Sequence, residues 1–105
     1  MNEETNELLK EFVKERDWER FHTPENLAKS ISIEAGELLE CFQWTNDFSK
    51  EHVQEELADV LIYCTLLANK LHLDEDEIVR LKIKKNEEKY PVSKAKGNAK
   101  KYTDL

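Results

Sequence analysis

Two acidic pairs dominate the chemistry that the chain could perform. Glu34 and Glu37 stand three residues apart, with Glu40 continuing the interval, and Glu56 and Asp59 repeat it after eighteen intervening residues. Side chains at this spacing share one face of a helix. Each segment therefore offers a carboxylate pair along one stripe, although like charges so placed repel by a few tenths of a kcal/mol per pair (~0.3). No lysine interrupts Ile33 to Phe42, and both pairs sit beside the most apolar stretches, Ile31 to Phe42 and Leu57 to Leu71. If the two helices pack together, the acids converge near the core. Converging buried carboxylates raise each other's pKa and are costly unless a cation neutralises them. Carboxylates without thiolate or imidazole select Mg²⁺, with Mn²⁺ also suitable, over zinc. Gly36, between Glu34 and Glu37, suggests close approach of a backbone or ligand, because a helical glycine costs about 1 kcal/mol relative to alanine. From spacing alone, ordinary surface acids of a glutamate-rich chain remain the alternative. A di-iron carboxylate bundle needs two Glu-x-x-His motifs, and the chain has one, Glu19 to His22, at a helix break.

The elements that must position these acids read as helices. Leu8, Leu9, Phe12 and Val13 form a helical stripe, and Trp18 and Phe21 lead out of it. Thr23-Pro24 reads as an N-cap followed by proline at the first helical position. The second helix is expected to reach about Trp44, with an apolar face of Leu27, Ile31, Ala35, Leu38, Leu39 and Phe42. Ser49 caps a third helix over about Lys50–Leu71, whose inward residues are Val53, Leu57, Val60, Leu61, Cys64, Leu67 and Leu71. Asp74 caps a fourth, with Glu77 completing a capping-box-like pair and Ile78, Leu81 and Ile83 facing inward. Tyr90-Pro91 ends it. These elements predict an all-α fold, a four-helix bundle in one domain over 1–105, with a basic tail from about 92 to 105.

Composition limits the functions available. The 105 residues carry a net charge of −7, with 37% charged and 39% hydrophobic residues. Residues 1–81 hold 8 basic and 20 acidic side chains, whereas 82–105 hold 8 lysines and 3 acids. This balance does not suit polymeric nucleic acid, which wants a broad basic face. It does suit a small polyanion held between cations and lysines. The longest uncharged run, Val60 to Asn69, is ten residues, half of the roughly 20 needed to cross a bilayer, so no membrane association is expected. The first residues lack a secretory pattern, and Cys41 and Cys64 read as reduced core residues of a cytoplasmic protein. A core this thin makes a partner subunit a reasonable expectation.

The ordered set Glu34-x-x-Glu37 and Glu56-x-x-Asp59 resembles the signature of the all-α nucleoside triphosphate pyrophosphohydrolases, the MazG-like family. Its flanking blocks, Arg16 to His22, Glu34 to Leu38, Phe42-Gln43-Trp44, Glu55 to Tyr63, Lys89-Tyr90-Pro91 and Lys101 to Leu105, are similar to the dCTP pyrophosphatase branch. The resemblance covers about residues 9–105. It implies Mg²⁺ held by Glu34, Glu37, Glu56 and Asp59, and cleavage of a (deoxy)nucleoside triphosphate into monophosphate and pyrophosphate. It also implies a dimer or a tetramer of dimers. Trp18 and Trp44 would enclose the base, and Tyr63, Lys82 and Asn86 would face sugar or phosphates. His22 falls in a matching block, and Lys85 lies close enough to Lys82 and Asn86 to join them on phosphate. Glu37 is the expected general base. The tail would pack near a neighbour's site rather than be disordered. Two positions depart from the family pattern: Ile33 replaces an acid common in the family, and Leu9 stands where the dCTP branch often has histidine, which bears on base preference. A non-catalytic helical oligomer, an adaptor or regulator, is the competing functional class.

Overall fold

The computed structural model describes residues 1–105, all of them helix, turn or irregular connection. Five α-helices run in order: α1 (Glu3–Glu15), α2 (Pro24–Glu40), α3 (Lys50–Lys70), α4 (Glu75–Lys89) and α5 (Val92–Ala95). Single 3₁₀ turns occupy Glu19–Phe21 and Tyr102–Asp104. No helix is long and apolar enough to cross a membrane.

The chain forms two compact units, Met1–Leu73 and Asp74–Leu105. In the first, α2 and α3 pack as an antiparallel hairpin, the broad helix–helix contact of the chain. The core is Val13 of α1, Leu27 of α2 and Leu66 of α3, backed by Leu9, Ile62, Tyr63 and Leu67. Leu27 is 1% exposed. A reciprocal amide pair fastens α1 to α3: Asn6 Nδ2 donates to Asn69 Oδ1 at 3.2 Å, and Asn69 Nδ2 donates back to Asn6 Oδ1 at 2.8 Å.

Local chemistry fixes the helix limits. Thr23, Ser49 and Asp74 each accept from a backbone N–H three residues on, as the sequence predicts. Asn2 caps α1 in the same way. At the C-termini of α1 and α3, Trp18 N–H donates to Val13 O and Leu73 N–H to Ala68 O, closing Schellman turns. The left-handed residues of these turns are Asp17 (φ 53°) and His72 (φ 56°), where glycine is the usual occupant.

Several expected burials do not occur. The second helix ends at Glu40, and Cys41–Trp44 form turns with Trp44 at φ 66°. Ala35, Leu39 and Phe42 are exposed, as are Leu57, Leu61 and Leu71 on α3 and Leu8 and Phe12 on α1. Cys41 is buried but Cys64 is exposed, correcting its assignment to the core. Two packed helices bury one stripe each, and these positions lie off it. Gly36 meets no neighbour: a Cβ added there would find nothing within 4 Å, so close approach within the chain is not its role.

In the second unit, Ile78, Leu81 and Ile83 are exposed rather than inward-facing. The unit supplies only the four-residue α5 and a 3₁₀ turn as partners for α4. In its tail, Tyr102 meets Tyr90 edge to face at 6.3 Å, and Lys89 Nζ lies 4.9 Å from the Tyr102 ring centre.

Candidate active site

Antiparallel packing of α2 on α3 sets their acidic stripes against each other. Ligand-capable atoms of Glu34, Glu37, Glu56 and Asp59 all lie within 4.8 Å of one another. Glu34, Glu56 and Asp59 are half-buried and Glu37 is exposed. Glu40 is exposed and outside the group. Six residues turn a helix by about 240° relative to Glu34, so the third member of the interval leaves the stripe.

In the metal-free chain, crowding and burial favour protonation within the cluster. The Glu34 carboxyl is pushed up to about 7, chiefly by a side-chain hydrogen bond with Glu37, then by burial and by the charges of Glu37, Asp59 and Glu56. Glu56 is raised by burial first, then by the charge of Glu37 and a hydrogen bond to it. Buried oxygens Glu34 Oε2 and Glu56 Oε2 have no hydrogen-bond partner. Orphaned carboxylate oxygens amid converging charge fit a hard divalent cation such as Mg²⁺ or Mn²⁺. The absence of sulfur or imidazole among the four acids disfavours zinc.

Two residues adjoin the cluster that the sequence reading does not connect with it. His52 Nε2 lies 3.5 Å from Glu56 Oε1, and its charge acts against the upward shift of Glu56. The signal was available, since positions 52 and 56 are one helical turn apart. Cys41 lies near enough to Glu56 for the acid's charge, after burial, to push its thiol up, which keeps the sulfur protonated and inert.

A cavity of about 230 Å³ opens beside Asp59, lined by Leu9, Phe12, Trp18, His22, Ile62 and Tyr63 among others. Trp18 packs edge to face on Phe12 at 5.7 Å. Burial first, and then the charge of Lys70, hold His22 below its ordinary value. Of the residues expected to bind substrate, Trp18, His22 and Tyr63 thus share one cavity with a cluster acid. Trp44 does not join them; its side chain is 93% exposed. Lys82, Lys85 and Asn86 lie on α4 in the second unit, with Asn86 half-buried and both lysines exposed.

Residues 29–105 match the MazG-like family. Over 98% of its length the chain is 45% identical to dCTP pyrophosphatase 1 of Mus musculus and covers 66% of that protein. It is 40% identical to dCTP pyrophosphatase 1 of Homo sapiens, with 98% of this chain and 66% of that protein covered. The chain therefore spans about two thirds of the length of these curated relatives. A crystal structure of a pyrophosphatase from Archaeoglobus fulgidus superposes with a TM-score of 0.80 at 47% identity, covering 85% of this chain and 91% of that one. An all-helical fold carrying a four-carboxylate cluster, together with these matches, places the chain in the MazG-like family.

Proposed function

We propose that the protein is a Mg²⁺-dependent nucleoside triphosphate pyrophosphohydrolase that splits (deoxy)nucleoside triphosphates into monophosphate and pyrophosphate, with dCTP or modified cytidine nucleotides as leading substrates. Support comes above all from the convergence of Glu34, Glu37, Glu56 and Asp59 within 4.8 Å at the edge of a ring-sized cavity. The dCTP pyrophosphatase relatives favour the substrate class.

Glu34, Glu37, Glu56 and Asp59 hold the cation. When bound, Mg²⁺ (or Mn²⁺) neutralises phosphate charge and acidifies water. Glu37, the exposed member of the four, accepts the proton of the attacking water at its carboxylate. Attack at the α-phosphorus releases pyrophosphate and leaves the monophosphate. Trp18 offers its ring to the base, and Tyr63, one turn beyond Asp59, reaches toward the sugar. His22 closes the same cavity. Lys82, Lys85 and Asn86 hold the outer phosphates as charge-assisted donors, within a single functional domain.

The exposed Trp44 completes base enclosure in a homodimer or a tetramer of dimers built around a four-helix bundle. By analogy with the family, the proposed function includes a house-cleaning role in the cytoplasm, removing surplus or modified triphosphates. Incubation with Mg²⁺ and a panel of ribo- and deoxyribonucleoside triphosphates, resolved by anion exchange, tests it. Monophosphate plus pyrophosphate is expected, abolished in Glu37→Ala and Asp59→Ala with helix content unchanged. Orthophosphate release, or no turnover and no cation-induced thermal shift, would overturn it in favour of another reaction or the non-catalytic adaptor.

A further inference from the structure

A second cavity, of about 420 Å³, opens on the first unit behind His22. Its floor is apolar, formed by Val13, Leu27 and Leu66, and its polar lining is Lys10, Lys70, His22, His72, Asn69 and Glu19. Against its surroundings this lining is anomalous. Met1–Leu73 carries sixteen acids and seven lysines or arginines. Yet two of those lysines and two of the chain's three histidines face this cavity, with a single acid. The cavity adjoins the one beside Asp59, sharing Val13, His22 and Leu66, but holds none of the four cluster acids.

The basic groups are available to a ligand. Lys70 lies in the last turn of α3, where lysine often serves free carbonyls. Here the carbonyls of Leu67, Ala68 and Asn69 already accept from the N–H groups of Leu71, Leu73 and His72, so the Lys70 ammonium is not needed there. It makes no ion pair, and its charge is felt at His22. Lys10 pairs only with the exposed Glu7, at 3.3 Å. The amide pair between Asn6 and Asn69 fixes one wall. His72 keeps an imidazole at a left-handed position where glycine is usual.

We infer that this cavity is a binding site for a small phosphomonoester with an apolar or ring-shaped body, the body seated on Val13, Leu27 and Leu66 and the phosphate held by Lys10, Lys70 and His72. The volume falls in the range of small-molecule pockets, and paired ammonium and imidazole donors match a dianion. No divalent cation is involved, which separates the site from the carboxylate cluster and makes it independent of the proposed hydrolysis.

The test is an NMR titration of the full chain, free of divalent cations, with phenyl phosphate, inorganic phosphate and phenol. Phenyl phosphate is expected to shift the Asn69 side-chain amide and the His72 imidazole saturably, inorganic phosphate more weakly, and phenol not at all. Lys70→Met, and independently Lys10→Met, should weaken phenyl phosphate by about tenfold or more, while Lys29→Met on α2 leaves it unchanged. Absence of saturable shifts at Asn69 and His72, equal weakening by Lys29→Met, or shifts confined to the Trp18 indole and Tyr63 would each overturn the assignment.

Discussion

At the scale of single residues, protons and cations compete for the same oxygens. Glu34 titrates near 4.5 when unfolded and at about 7 when folded. Between those values the folded chain holds more protons than the unfolded one, so this contribution favours folding in acid and is lost as pH rises through about 7. Glu56 acts in the same direction. His22, lowered by burial, acts oppositely: its contribution is present above 6.5 and is lost as pH falls through its lowered folded value. The metal-free protein is therefore expected to lose thermal stability between about pH 5 and pH 8, less steeply in Glu34→Gln and more steeply in His22→Gln. Added Mg²⁺ should raise Tm far more at the alkaline end, read by differential scanning fluorimetry. A wild-type slope unchanged in Glu34→Gln would refute this account. In the core, Leu27→Ala should cost about 2–5 kcal/mol in denaturant unfolding; a loss below about 1 kcal/mol would mean that α1 and α3 collapse into the gap.

At the scale of elements, the caps were legible in the sequence and the buried faces were not. Thr23, Ser49 and Asp74 were readable because a cap is decided within four residues. Their bonds follow from local geometry alone, and Thr23→Ala should destabilise by about 1 kcal/mol in a thermal melt. The carboxylate stripes were readable for the same reason, since spacing fixes the face. Which apolar stripe finds a partner is decided by distant chain, and so Ile78, Leu81 and Cys64 were misjudged. Glu40 continues the interval of three in sequence but leaves the stripe at 3.6 residues per turn, which is why the site is a pair from each helix. The left-handed ends of α1 and α3 had no glycine to announce them. Replacing His72 by glycine should stabilise α3's end by about 1 kcal/mol, seen as a higher Tm. An unchanged or lower Tm would show that the imidazole contributes contacts worth as much as the backbone relief.

At the scale of the whole molecule, a charge-rich chain with few apolar residues leaves much of its apolar surface in water. Leu39 is 71% and Leu61 53% exposed, and Trp44 is open to solvent as well. Composition made a thin core legible, but not the location of the uncovered surface. Such patches mark association sites more often than inert surface. Sedimentation velocity should give a dimer or larger species, and Leu61→Glu or Leu39→Glu should shift it toward monomer while lowering pyrophosphohydrolase activity. A wild-type chain that sediments as a monomer at micromolar concentration, fully active, would sink the assembly proposed here.

The amide clasp between Asn6 and Asn69 spans 63 positions of sequence. On a ribosome adding about 5–20 residues per second, α1 emerges about 3–12 s before the segment that will hold it. During that interval Leu8 and Phe12, which stay exposed even after folding, are joined in water by Leu9 and Val13. α1 is thus expected to stay accessible on the nascent chain through that interval. Stalled nascent chains should leave it open to protease until Asn69 has cleared the exit tunnel and resistant afterwards; protection arising earlier would mean that α2 alone suffices to shelter it.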